Sequence, residues 1–163
     1  MDERRRRFEH LVLPHLDAAF NLARWLTRST PEAEDVVQEA LLRALRSFDG
    51  FRGGDARPWL MAIVRNCHFT AMKQKKPSAP LSEDHAAPEP DPEAAALSSD
   101  RARKLTAAIA GLPPEFREAL VLREMEDMSY REIAAATGVP IGTVMSRLAR
   151  ARAMVRERWE AAQ

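Results

Sequence analysis

A chain of 163 residues, 45% hydrophobic and 30% charged, is long enough for one domain or two small ones. It holds no run of about twenty apolar residues, so no membrane insertion is expected. A single cysteine, Cys67, excludes an internal disulfide, and with four scattered histidines it offers no metal-ligand spacing. There is no glycine-rich phosphate loop and no nucleophile elbow, so the sequence predicts no metal, no cofactor and no enzyme. The net charge of +1 hides a partition. Residues 1–76 carry 14 Lys/Arg against 10 Asp/Glu, residues 77–100 carry six acids and no Lys/Arg, and residues 101–163 carry 11 against 8. Two basic blocks flanking an acidic one suggest two surfaces for a polyanion and a spacer that phosphates repel.

The first ten residues, MDERRRRFEH, have the charge of a signal peptide without the apolar core that should follow, which places the chain in the cytoplasm. Arg4 to Arg7 could touch nucleic acid or form a frayed, solvated terminus. The first helix is predicted from about Pro14 to Thr27, burying Leu16, Phe20, Ala23 and Leu26 or Thr27. Thr30-Pro31-Glu32 starts the next, with a capping hydroxyl, a proline in the first turn and acids at the positive end of the dipole. Ala33, Val36, Val37, Ala40, Leu41, Ala44, Leu45 and Phe48 follow at three-and-four spacing and make one full core face. The opposite face presents Asp35, Gln38, Glu39, Leu42 and Arg46, with Arg43 beside them. Acidic and amide groups around one exposed leucine form a candidate protein-docking stripe, against the alternative of a solvated face with an ordinary exposed leucine.

Phe48 to Asp55 is a loop with three glycines and two aromatics. It is either a stacking platform for an unpaired base or a helix connector whose phenylalanines enter the core. From Arg57 or Pro58 to about Gln74 a third helix should bury Leu60, Ile63, Val64, Cys67 and Ala71, with Cys67 a small core hydrophobe. Its far side holds Arg65, Asn66, Phe69 and Lys73. Cations interleaved with an aromatic and an amide suit single-stranded nucleic acid, charge for phosphates and a ring for bases; the alternative is a basic helix end complementing the dipole.

Pro77 to about Glu93 contains five prolines, several acids and no apolar periodicity, and reads as a flexible linker. A helix beginning between Pro92 and Ser99 runs to Ala110 with Leu97, Arg101, Leu105, Ala108 and Ile109 on its packing side. Leu112-Pro113-Pro114 opens another, with Phe116, Ala119, Leu120 and Leu122 or Arg123 inward. Residues 128–158, MSYREIAAATGVPIGTVMSRLARARAMVRER, then read as two helices at a tight corner. Ser129 and Glu132 make a capping box, and Tyr130, Ile133, Ala134 and Thr137 follow at helical spacing. Gly138 ends the helix, and Gly138 and Ala134 are expected to permit close helix packing. Pro140 suits the first turn of the next helix, which should bury Ile141, Val144, Leu148 and Ala151. Its other side shows Thr143, Met145, Ser146, Arg147 and Arg150, and beyond them Arg152, Arg156 and Arg158. Residues 142–158 hold five arginines and one glutamate, whereas a surface selected for solubility mixes its charges. This is helix-turn-helix patterning, with the second helix placed for a major groove; a helical hairpin with a solvated arginine face is the bland alternative.

The fold is therefore predicted all-α: two small helical bundles, residues 1–76 and 97–163, joined by a flexible acidic, proline-rich linker at 77–96. At this point the chain resembles the extracytoplasmic-function (group IV) sigma factors of bacterial RNA polymerase. EAEDVVQEALLRALRSFDGFRGGDARPWLMAIVRN is similar to region two of that family, and LPPEFREALVLREMEDMSYREIAAATGVPIGTVMSRLARAR to region four. The resemblance implies a promoter-specificity subunit without catalytic residues, whose partners are core polymerase, promoter DNA and an anti-sigma factor wedged between the halves. Asp35, Gln38, Glu39 and Arg43 match the family surface that docks on the polymerase clamp helices. Phe51 and Asn66, with Ile63 nearby, match positions that capture a base flipped from the minus-10 strand. Ser146, Arg147 and Arg150 match the helix that meets the minus-35 element, and Phe116 to Met125 the bundle that contacts the polymerase flap. Met145, Ala149 and Thr70 depart from residues common in the family. Two other classes fit parts of the chain: a helix-turn-helix regulator that acts without replacing the polymerase sigma subunit, and a sequestered interaction module.

Overall fold

The computed structural model describes residues 2–74 and 99–163 and is all-helical there. The predicted linker at 77–96, and Leu97 with it, lie outside the described residues. Four helices form the first half. Helix α1, Glu3–Val12, is capped by Asp2, whose side chain accepts from the Arg4 N–H. A 3-10 turn, Leu13–His15, leads into α2, Leu16–Thr27. Helix α3 is Thr30–Arg46, and after a 3-10 turn at Phe48–Gly50 comes α4, Ala56–Gln74. Helices α2, α3 and α4 pack mutually, with α1 laid against α4. The second half holds α5, Asp100–Ala110, and α6, Pro114–Leu120, which continues into one π-helical turn, Val121–Met125. Then come α7, Tyr130–Thr137, and α8, Ile141–Ala161, against which α5, α6 and α7 all pack.

Helix α1 is the first departure from expectation. Its arginines are not a frayed end: Arg4 donates through Nε to Asp49 Oδ1 at 2.9 Å and through Nη2 to the Leu45 carbonyl at 2.6 Å. Arg7 lies over the Phe48 ring, and Phe8 packs edge-on against Phe48 at 5.4 Å. In α2 the buried stripe is Ala19, Leu22, Ala23 and Leu26, with Trp25 beside it. Leu16 is exposed and Phe20 half-buried. Ser29, one residue before the expected Thr30, caps α3 by accepting from Glu32 N–H.

The buried face of α3 follows the predicted spacing at Ala33, Val36, Val37, Ala40 and Ala44, with Leu41 and Leu45 half-buried. In α4, Leu60, Val64 and Cys67 are buried as expected, while Ile63 is half-buried and Ala71 exposed. Burial pushes the Cys67 thiol up, against the opposing pull of Arg43. Met61 and His68 are also buried, since α4 packs on two sides: against α2 and α3, and against α7 of the other half. In α5, Ala108 and Ile109 are buried but Arg101 and Leu105 are exposed. The apolar cluster runs continuously from Phe8 to Ala151 through both halves. The two predicted bundles thus share one packed interior.

Candidate nucleic-acid and docking surfaces

The helix-turn-helix corner is assembled by local rules. Ser129 Oγ accepts from Glu132 N–H at 3.1 Å while Glu132 Oε1 accepts from Ser129 N–H at 2.8 Å, satisfying two donors that a helix start leaves orphaned. Gly138 closes α7 in the left-handed region at φ +73°. A Cβ there would meet nothing within 4 Å, so the glycine serves backbone conformation and not the close packing expected from the sequence. Pro140 stands just before α8 as its N-cap residue.

Val144, Leu148 and Ala151 bury the inner face of α8, whereas Ile141, expected beside them, is 42% exposed. It is the first residue of the helix, ahead of the turn that packs on α7. The outer face carries Met145, 52% exposed, with Ser146 and Arg150, also exposed, and Thr143 and Arg147, half-buried. Ser146 Oγ is bonded back to the Thr143 carbonyl at 3.1 Å, and Arg150 lies over the Phe116 ring. Thr143, Ser146, Arg147 and Arg150 recur at the three-and-four spacing of one helix face near its N-terminus, with Met145 exposed to one side of it.

On α3, Asp35, Gln38 and Leu42 are exposed, Leu42 at 48%, and Glu39 accepts from Arg43 Nε at 3.2 Å. The predicted stripe lies along one side of the helix, with Glu39 and Arg43 half-buried. The minus-10 candidates are more dispersed. Asn66 and Lys73 are exposed. Phe51 is half-buried, stacked on Phe48 with 6.1 Å between centroids and tilted on Trp59 at 5.1 Å. Its loop turns through two left-handed glycines, Gly53 and Gly54. Phe51 is thus both connector and partial platform, and Trp59, which sequence reasoning passed over, completes that aromatic group.

Arg65 is placed differently from expectation. Its Nε donates to Glu118 Oε1 of α6 at 2.5 Å, and its guanidinium lies 4.7 Å from the Phe69 ring centroid. Glu118 is 1% exposed. Burial drives its carboxyl above the usual range, opposed by the Arg65 hydrogen bond and charge and then by the charge of Arg147. The next residue back, Arg117, is buried too. It donates to the Ala110 and Leu112 carbonyls at 3.1 and 2.9 Å and reaches Leu26 O of α2 at 3.5 Å. Burial, with Arg28 nearby, lowers its pKa to about 10, which leaves it cationic at neutral pH. Neither residue was singled out from the sequence, though Glu118 stands one turn before Leu122, which was.

Among the described residues no group of three or more His, Cys, Asp and Glu could hold a metal ion, and no helix is long and apolar enough to cross a membrane.

Two family models match the chain: "Sigma-70 region 2" over residues 11–77 and "Sigma-70, region 4" over residues 102–155. It is 36% identical over 155 residues to the ECF RNA polymerase sigma factor SigE of Mycolicibacterium smegmatis, covering 92% of this chain and 60% of that protein. It is 35% identical over 161 residues to the RNA polymerase sigma-H factor of Pseudomonas aeruginosa, covering 91% of this chain and 83% of that one. Its structure is similar to the sigma factor RpoE of Bartonella quintana, solved in complex with the anti-sigma factor NepR. There the TM-score is 0.82 and the identity 28%, over 96% of this chain and 99% of that one. With both regions matched in the order the sequence shows, the chain belongs to the extracytoplasmic-function sigma factors of bacterial RNA polymerase.

Proposed function

We propose that this chain docks on core RNA polymerase through Asp35, Gln38, Glu39, Leu42 and Arg43, reads a duplex minus-35 element and traps the melted minus-10 strand. Thr143, Met145, Ser146, Arg147 and Arg150 meet the major groove, and an arginine bidentate to a guanine supplies about 1–3 kcal/mol of discrimination. Phe51, Ile63, Arg65, Asn66, Phe69 and Lys73 meet the unpaired strand, where the few kcal/mol spent on unstacking a base are returned by a pocket that holds it. Residues 1–76 and 97–163 are the two working units, with 77–96 between them. The chain supplies recognition only; bond making stays with the polymerase, in the cytoplasm. An anti-sigma factor is a further partner, as it is for the Bartonella quintana protein.

The observation that carries this reading is the pairing, on one chain, of an exposed acidic stripe around Leu42 on α3 with the exposed Met145-Ser146-Arg150 strip on α8. One suits a protein surface and the other a groove of DNA. The test is transcription in vitro from a fragmented genomic template, with core polymerase alone and with this protein added. Discrete new start sites that require the protein are expected. No added starts, together with tight duplex binding by the protein alone, would replace this reading with that of a regulator acting without the sigma role.

A further inference from the structure

Helix α1 breaks a local rule. Arg4, Arg5 and Arg6 follow Glu3 at its start, where cations oppose the positive end of the helix dipole and acids are favoured. A violation of this kind calls for a compensating contact. Arg5 has one within the helix, at Glu9. Arg4 has two outside it, on the segment that leaves α3. Its Nη2 donates to the Leu45 carbonyl at 2.6 Å and its Nε to Asp49 Oδ1 at 2.9 Å. Leu45 lies in the last turn of α3, whose carbonyls the intrahelical pattern leaves over, and Asp49 in the 3-10 turn that follows. One planar guanidinium thus spans the point where the chain leaves the helix, and its two donors fix a direction that a point charge would not. The Asp49 side chain is 82% exposed, so the pair adds little stability. What it contributes is placement.

Arg7 and Phe8 stand on the same face of α1, three and four residues on. Arg7 lies over the Phe48 ring and Phe8 meets that ring edge-on. Phe48 in turn carries Phe51: the rings stack, and the Phe48 carbonyl accepts from the Phe51 N–H at 3.0 Å. Downstream, Gly53 and Gly54 turn the chain at φ +90° and +85°, and a Cβ on either would meet nothing within 4 Å. The Phe51 ring is therefore placed from upstream, by α1 acting through Phe48, and from across the loop by Trp59.

We propose that α1 braces the loop that carries Phe51, with Arg4 as its positioning residue: by tying the Leu45 carbonyl to Asp49, Arg4 sets where the Phe48–Phe51 stack stands and so how well the Phe51 ring meets an unpaired base. The inference rests on the proposed function for what Phe51 does, but not for the brace itself. Arg4 acts through the ring and touches no nucleic acid.

The first readout needs neither polymerase nor DNA. The full chain carries fluorotryptophan at its three tryptophans, Trp25, Trp59 and Trp159. Arg4→Ala should shift and broaden the fluorine resonance of Trp59, which lies against Phe48 and Phe51 with centroids 6.4 and 5.1 Å away. Trp25 of α2 and Trp159 of α8 should stay in place, which excludes a general folding defect. Arg4→Lys, which keeps the charge and loses the fork, should shift Trp59 in the same direction by less. The second readout is the affinity of reconstituted holoenzyme for a single-stranded oligonucleotide bearing the non-template minus-10 sequence of a promoter mapped by the transcription test. Arg4→Ala should weaken it about fivefold, the low end of what one base–aromatic stack is worth. In a Phe51→Ala background the same substitution should cost nothing further, because a residue that acts through the ring is silent once the ring is gone. Additive losses would overturn the brace by making Arg4 a strand contact in its own right, and an unmoved Trp59 resonance would overturn it directly. A moved Trp59 resonance with oligonucleotide binding indifferent to Phe51→Ala would sink the base-capture role and leave the brace standing.

Discussion

Glu118 is costly to bury, and that cost gives it a pH signature. Its carboxyl titrates above the usual range because burial disfavours the charged form more than Arg65 and Arg147 favour it. A carboxyl raised in the folded state leaves that state holding more protons than the unfolded chain between the two pKa values, so this group's contribution falls as pH rises through that window. Below about pH 4, where both states are protonated, the penalty is absent; above the folded pKa it is complete. Glu118→Gln keeps shape and removes the charge, and Arg65, a fifth of its side chain still exposed, is not stranded by the change. The variant should melt higher than the parent at neutral pH, with the gain vanishing toward about pH 4. A lower melting temperature at neutral pH would show that attraction, not desolvation, dominates at this site. The exposed residues make a different prediction. Asn66→Ala should impair open-complex formation and spare core binding, while Asp35→Arg should weaken core binding; footprinting and polymerase affinity separate the two. Equal loss of both activities in Asn66→Ala would remove that side chain from base capture.

The elements divide into those that local chemistry specifies and those that it does not. The α7–α8 corner is of the first kind. Ser129→Ala removes the hydroxyl of the capping box and should cost about 0.5–2 kcal/mol. Gly138→Ala meets open space but forces a Cβ into φ +73°, for about 1–2 kcal/mol; thermal melts should show both losses, with minus-35 binding weakened in proportion to the unfolded helix. A Gly138→Ala chain as stable as the parent would mean that the corner relaxes out of the left-handed region. The capping of this corner, the α3 core face and the exposed side opposite it were all legible, because every determinant lies within four residues of its partner. Helix α1 was not. Its MDERRRRFEH sequence has little periodicity, and what fixes it is Arg4 on Asp49, 45 residues away. Nor was the second packed side of α4: Met61 and His68 are buried because α7 lies there, and no pattern within α4 announces a neighbour from the other half. The contact Arg65 makes was not legible for the same reason, its carboxylate partner being 53 residues distant.

At the scale of the molecule, two kinds of charge interaction compete. The Glu118–Arg65 pair is buried, so mobile ions screen it weakly, whereas cations facing phosphates act through counterion release and are strongly salt-dependent. If about four cations of α8, such as Arg147, Arg150, Arg156 and Arg158, neutralise phosphates, duplex affinity should fall about a hundredfold between 50 and 200 mM salt. Anisotropy of a mixed-sequence duplex across one salt series checks the prediction. A flat binding curve would assign the affinity to base edges and apolar contacts such as Met145.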